Sequence, residues 1–308
     1  QRYGFAETGA GKLVIPFVHA VELYPGCFPG PAQERGDCVS HGASGAGFGT
    51  MCCDIVSGQP DEKTGLPEEK PEVSEEAVRN GVVSSEAIYW WRGYNGDGWD
   101  CPEAATVATK TSGLFLRKNY PEFGVDLTRY SGRNAGLYGS RQPGSEIKAV
   151  GAQHLFHQAT EVSTFEALRD FLYNGYVFID CGGEGYQDTR DANGVSKQSG
   201  SWSHSMKEWA VDDRDVIKQL YGDPLVLIVN NWGKWNGGPR DIYQSAGLVP
   251  PGKKDLWIRV GLVNPVTGNI MIPEGSFWTP WKHCKNRDRI TFAGVAGWTM
   301  KKFTWMDV

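Results

Sequence analysis

The chain has 308 residues, 40% hydrophobic and 22% charged, with a formal net charge of −5. That length and apolar content bury a proper core, in one large domain or two lobes, and exclude a disordered chain. The acidic balance argues against a general nucleic-acid binder, and no apolar run is long enough to cross a membrane.

In chain order, Leu13-Val14-Ile15-Pro16-Phe17-Val18 reads as a short strand broken by proline. A turn-rich approach, Tyr24 to Gly30, leads to Gln33-Glu34-Arg35-Gly36-Asp37-Cys38-Val39-Ser40-His41-Gly42. This stretch puts one cysteine after a Gly-Asp turn, at the start of a small-residue segment. A thiol at a helix N-terminus meets the positive dipole end and unpaired N–H groups, which favour the nucleophilic thiolate. From Cys38 to Asp54 nearly every residue is small or apolar, with glycine at 42, 45, 47 and 49. Two readings stay open: a buried helix whose backbone is closely approached by neighbours, or a Gly-rich loop. His41 is expected to pack or cap locally.

Residues 57–77 are polar and acidic and read as a surface insertion. Ser84 to Trp91 is apolar and runs into Gly93-Tyr94-Asn95-Gly96-Asp97-Gly98-Trp99, where Asn-Gly and Asp-Gly signal tight turns. Cys101 to Lys110 reads as a helix with Pro102 in its first turn and Gly113 as a stop. Residues 127–148 are Gly-rich and basic and read as a loop. Val162-Ser163-Thr164 caps a helix over 165–173, ended by Asn174-Gly175. A strand follows over 176–181, then a polar loop to Gly200 and a segment over 203–211 carrying His204. Leu225 to Val229 is a buried strand ending at Asn230. Residues 256–260 and 290–295 read as further strands. Asp54, Asp180 and Glu184 are expected to be structural or exposed, and His154 and His157 show no metal pattern.

Seven cysteines leave at least one thiol unpaired. None has zinc-ligand spacing, so neither metal nor other cofactor is expected. Mostly reduced thiols favour an intracellular or virion-associated setting over a disulfide-stapled secreted one. The sequence starts at Gln1 with no signal-peptide pattern, and an N-terminal segment is expected to have been removed. The 12 tryptophans pack a core or line a groove, core packing being the simpler reading.

The order Cys38, His204, Asn230-Asn231-Trp232-Gly233 resembles the papain-like cysteine peptidases, with matches over roughly residues 28–240. Residues 93–99, the helix after them and Gly113-Leu114-Phe115 are similar to the family's Gly-Cys-Asn-Gly-Gly segment and its following helix. Trp235 matches the Trp after the Asn-Ser-Trp-Gly block. The resemblance implies an α+β, two-lobed fold. A mostly helical lobe over 1–150 would hold the Cys38 helix and the acidic insertion 57–77. An antiparallel β-rich lobe over 151–308 would carry His204 and Asn230, with a cleft between the lobes. It also implies Cys38 as nucleophile, His204 as base in a thiolate–imidazolium pair and Asn230 as its orienter. Trp232 would cover the His–Asn bond. Gln33 would serve the oxyanion hole, and Asn95, Gly96, Trp202 and Trp232 would line the cleft. The sequence departs from the pattern at four places. Gln33 stands one residue closer to the cysteine, Val39 replaces an aromatic residue, Tyr94 replaces a disulfide cysteine, and Asp37 beside the thiol opposes its ionisation.

The expected function is hydrolysis of peptide or amide bonds in a peptide or protein substrate through a Cys38 thioester, with no nucleic-acid or membrane partner. The alternative is a catalytically weak or inactive papain-like fold serving as a structural subunit of a virion or other large assembly, with partners there. A third reading is a glycan- or peptidoglycan-directed amidase using the same three residues and exposed Trp.

Overall fold

The structure is a computed structural model that describes residues 7–58, 70–141 and 144–295. The small-residue segment is a helix, Cys38–Val56, and nearly every residue in it is buried. Its glycines are explained by what lies against them. A Cβ on Gly47 would sit 2.1 Å from Cζ of Phe156, and one on Gly42 would sit 2.6 Å from Oγ of Ser205. Close backbone approach by the sheet outweighs the poor helix propensity of glycine, roughly 1 kcal/mol per residue.

The helix packs on one antiparallel sheet. Its strands run in the order Ser276–Pro280, Leu225–Val229, Gln198–Asp212, Phe178–Tyr186, Asp288–Val295, Phe156–Val162, and the short Leu13–Val14 also pairs with Gln198–Asp212. The long Gln198–Asp212 strand sets the register of the site. His204 stands opposite Gly182 and Ser205 opposite Cys181 on one side. On the other side Lys207 stands opposite Val229, so the chain leaves the Leu225–Val229 strand at Asn230 alongside His204. The five residues of that strand are all buried, as a central apolar run requires.

Two buried ion pairs brace the sheet. Nε of Arg289 lies 3.0 and 2.8 Å from the two carboxylate oxygens of Glu208. Nε of Arg287 lies 2.5 Å from Asp180, and its Nη2 donates to the His204 carbonyl at 3.0 Å. Asp180 and Glu184 are thus structural, Glu184 accepting from Arg287 through its carbonyl oxygen at 3.0 Å.

Local signals held where caps were explicit. The Phe165–Tyr173 helix starts with the Thr164 hydroxyl accepting the Ala167 N–H at 3.2 Å. Cys101–Lys110 starts with Asp100 accepting the Glu103 N–H at 3.0 Å, with Pro102 in the first turn. Three expectations are corrected. Residues 127–148 are not a loop but contain the Gly132–Arg141 helix and the start of the Ser145–Gly151 helix. The first of these starts where the Ser131 hydroxyl accepts the Asn134 N–H at 3.1 Å. Residues 256–260 are not a strand: Lys254–Arg259 is a short helix with only Trp257 buried, a case where a brief apolar run carries no reliable period. Leu13–Val14 is the whole first strand, and after Pro16 the chain turns into the Phe17–Leu23 helix.

Of the acidic stretch 57–77, residues 59–69 lie outside the described residues, and its end joins the short Glu75–Arg79 helix. Among the described residues no helix is long and apolar enough to cross a membrane. The fold is α+β, with the helices up to residue 151 preceding the strands that build most of the sheet.

Candidate active site

Cys38 is the first residue of the buried helix, with Asp37 at the cap position. The Asp37 carboxylate accepts the Tyr130 hydroxyl at 2.8 Å and lies 3.6 Å from Nε2 of His41. His41 also meets the Tyr130 ring edge-on, so its role is local packing. Cys38 and His204 line the same cleft, a cavity of ≈ 250 Å³ whose walls include Gly98, Trp99, Cys101, Cys181, Ser205 and Asp288. Both are nearly buried, at 8% exposure each.

His204 is held on three sides. Its Nε2 lies 2.9 Å from Oδ1 of Asn230. That same oxygen accepts the Asn231 backbone N–H at 2.7 Å. A backbone N–H can only donate, so the atom facing His204 is the Asn230 oxygen, and Nε2 of a neutral His204 carries the hydrogen. Nδ1 is then left with a lone pair. The indole of Trp232 stacks on the imidazole, with ring centroids 4.7 Å apart at 24°. Behind it Trp202, Trp235, Tyr186 and Phe277 form a continuous aromatic cluster. Some tryptophans therefore pack the core, as Trp90, Trp209 and Trp278 do. Others shield the histidine, and Trp99 lines the cleft.

The resting charge state differs from the thiolate–imidazolium expectation. Burial pushes the Cys38 thiol up; the backbone N–H of Ser205 opposes this in part, and the Asp37 carboxylate adds to it. Burial pulls His204 down to about 4, the Asn230 bond opposing and the Arg287 charge assisting. Two desolvated groups, one beside a carboxylate and one beside a guanidinium, rest as neutral thiol and neutral imidazole.

The other sequence candidates are placed less centrally. Gln33 is not among the cleft-lining residues. Its amide nitrogen donates to the Arg35 carbonyl at 3.0 Å, within its own loop. The short Gln33-to-Cys38 spacing explains this: the Asp37 N–H closes a tight turn on the same Arg35 carbonyl at 2.8 Å. Asn95 and Gly96 are exposed and stand outside the cleft wall, which Gly98 and Trp99 form instead. Arg92 holds that turn by donating to the carbonyls of Tyr94, Gly96 and Gly98. The Gly98 N–H in turn donates to the Gly36 carbonyl at 2.8 Å, tying the turn to the loop before Cys38. Trp202 and Trp232 flank His204 on its aromatic side and do not line the cavity.

Two features were not read from sequence. Asn231 donates its amide to the carbonyls of Cys38 and Ser205, joining the helix to the histidine strand. Cys101 and Cys181 form a disulfide whose two halves both line the cleft. The expectation of mostly reduced thiols holds for Cys27, Cys38, Cys52, Cys53 and Cys284, all buried and outside any disulfide, and is corrected for this pair. Residues 80 positions apart give no local signal of pairing; the packing of the Cys101–Lys110 helix beside the strand that carries Cys181 decides it.

Among the solved structures similar to the chain are the following two. One is xylellain, a cysteine protease from Xylella fastidiosa, at 13% identity and a TM-score of 0.47, covering 86% of this chain and 82% of that one. The other is procathepsin B S9 from Trypanosoma congolense, at 11% identity and a TM-score of 0.43, covering 92% and 76%. No protein-family model and no curated protein matches. With both TM-scores below 0.5, the α+β assignment stands on the chain's own helix and sheet, and the reading of the site on its own geometry.

Proposed function

We propose that this protein is a papain-like cysteine peptidase, acting on peptide or amide bonds with Cys38 as nucleophile, His204 as base and Asn230 as the orienter of His204. The supporting observation is that Cys38 and His204 share one cleft while Asn230 fixes the His204 tautomer that leaves Nδ1 basic. On this reading the 1–150 segment supplies the thiol and 151–308 the base, and the cleft is their boundary.

A substrate carbonyl enters the cleft beside the helix start. Nδ1 of His204 takes the Cys38 proton as the sulfur attacks the carbonyl carbon. The carbon becomes tetrahedral, and its negative oxygen meets the unpaired N–H groups at the first turn of the helix. The imidazolium gives its proton to the departing amine, leaving a thioester on Cys38. Water then attacks the thioester with His204 again accepting a proton, and the acid departs as the thiol is restored. Because the resting pair is neutral, proton transfer accompanies attack and does not precede it. Gln33 joins the oxyanion hole only if its amide leaves the Arg35 carbonyl when substrate binds.

The test is iodoacetamide labelling and digestion of a peptide library, comparing the wild-type chain with Cys38→Ala. The expected result is cleavage lost in the variant, with Cys38 labelled ahead of the other free thiols. A library left uncut by the wild-type protein under reducing conditions, with Cys38 labelling no faster than Cys27 or Cys284, overturns the reading.

A further inference from the structure

The cleft contains a thiol and a disulfide together. Cys38, Cys101 and Cys181 all line it. Cys38 and Cys181 both lie beside Ser205. The Asn231 amide donates to the carbonyls of both Cys38 and Ser205, and the Ser205 hydroxyl lies 3.3 Å from Sγ of Cys181, its partner across the sheet. Cys101 is the first residue of the ten-residue Cys101–Lys110 helix, whose start favours a thiolate there, with the Asp100 carboxylate at the cap opposing it in part. An attacking thiol, a base and an internal disulfide with a good leaving sulfur are thus collected around one cavity.

We propose that the cleft is a thiol–disulfide latch, in which Cys38 exchanges with the Cys101–Cys181 disulfide and is held as Cys38–Cys181. The exchange balances without any oxidant. His204 takes the Cys38 proton, the Cys38 sulfur bonds to Sγ of Cys181, and the Cys181–Cys101 bond breaks with its electron pair going to Cys101. The proton then passes to the Cys101 thiolate. One disulfide and one thiol are present before and after, but the nucleophile is capped. The latched form does no acyl transfer, and an external thiol restores it. The proposal uses the cleft described above, and its consequence for turnover rests on the peptidase reading, but the exchange itself is read without any substrate.

Non-reducing peptide mapping of the full chain tests it. The protein is incubated from pH 6 to pH 9, quenched in acid, and its free thiols are alkylated before digestion. A Cys38–Cys181 linked peptide is expected together with alkylated Cys101. Because neutral His204 takes the proton inside the cleft, the initial rate of appearance of this peptide is expected to change little with pH while Cys38 stays protonated, whereas a thiol ionising to solvent would give a rise of about tenfold per pH unit. In Cys101→Ser, diamide is expected to close Cys38–Cys181 directly. The proposal is overturned if Cys38 stays fully alkylatable at every pH and Cys38 and Cys181 of the variant both remain free after diamide. A latch without peptide cleavage by the reduced protein would fault only the peptidase reading; cleavage without a latch would fault only this one.

Discussion

Asn231 donates its side-chain amide to the Cys38 carbonyl at 3.2 Å, across 193 residues of sequence. The same amide reaches the Ser205 carbonyl at 2.7 Å. One side chain thereby sets the helix that begins with the thiol against the strand that carries the imidazole. Asn231→Leu removes both hydrogen bonds and is expected to cost roughly 1–3 kcal/mol, at about 0.5–1.5 kcal/mol per bond lost. Urea unfolding measures the cost. A midpoint equal to that of the wild type would show that the two carbonyls are satisfied another way.

Asn230 acts on the ring, not on the helix. Asn230→Ala removes the acceptor that holds hydrogen on Nε2 and frees the imidazole to turn. On the proposed mechanism kcat falls about 10²-fold or more with KM little changed. Steady-state kinetics on a cleaved peptide checks it, and a fall confined to KM would move Asn230 from orienting the base to binding substrate.

The buried neutral His204 makes stability depend on pH. Its pKa is pulled to about 4 in the fold, against an unfolded value of 6.5. Between those values the unfolded chain binds the proton and the native one does not, so stability rises with pH across this window. It is therefore complete above about pH 6.5 and lost as pH falls toward about 4, on the order of 3 kcal/mol. His204→Gln is expected to flatten this limb in urea midpoints measured from pH 4 to pH 7. An unchanged slope would assign the limb to other groups.

Glycine in the central helix is a packing requirement. Gly47→Ala drives a Cβ into the Phe156 ring at 2.1 Å. The helix-propensity gain of roughly 1 kcal/mol is outweighed by an overpacking cost of about 1–3 kcal/mol. A lower thermal midpoint is expected, while Gly247→Ala, with nothing within 4 Å of its Cβ, is expected to change stability by less than about 0.5 kcal/mol. If Gly47→Ala stabilises the protein, the sheet yields to the helix more easily than this packing implies.

The sequence alone settled what depends on near neighbours. Thr164 and Asp100 announce their helices because a cap acts over three residues, and Leu225 to Val229 reads as a central strand because every side chain in it is apolar. The chain order of Cys38, His204 and Asn230 was legible too, since each sits in a distinctive local run. Tertiary structure decided the rest. Whether Cys38–Val56 was helix or loop depended on Phe156 and Ser205 closing on its glycines, contacts that no local pattern encodes. The pairing of Cys101 with Cys181 follows from packing the Cys101–Lys110 helix beside the sheet, and the neutral resting state of Cys38 and His204 from how far that packing buries them away from water.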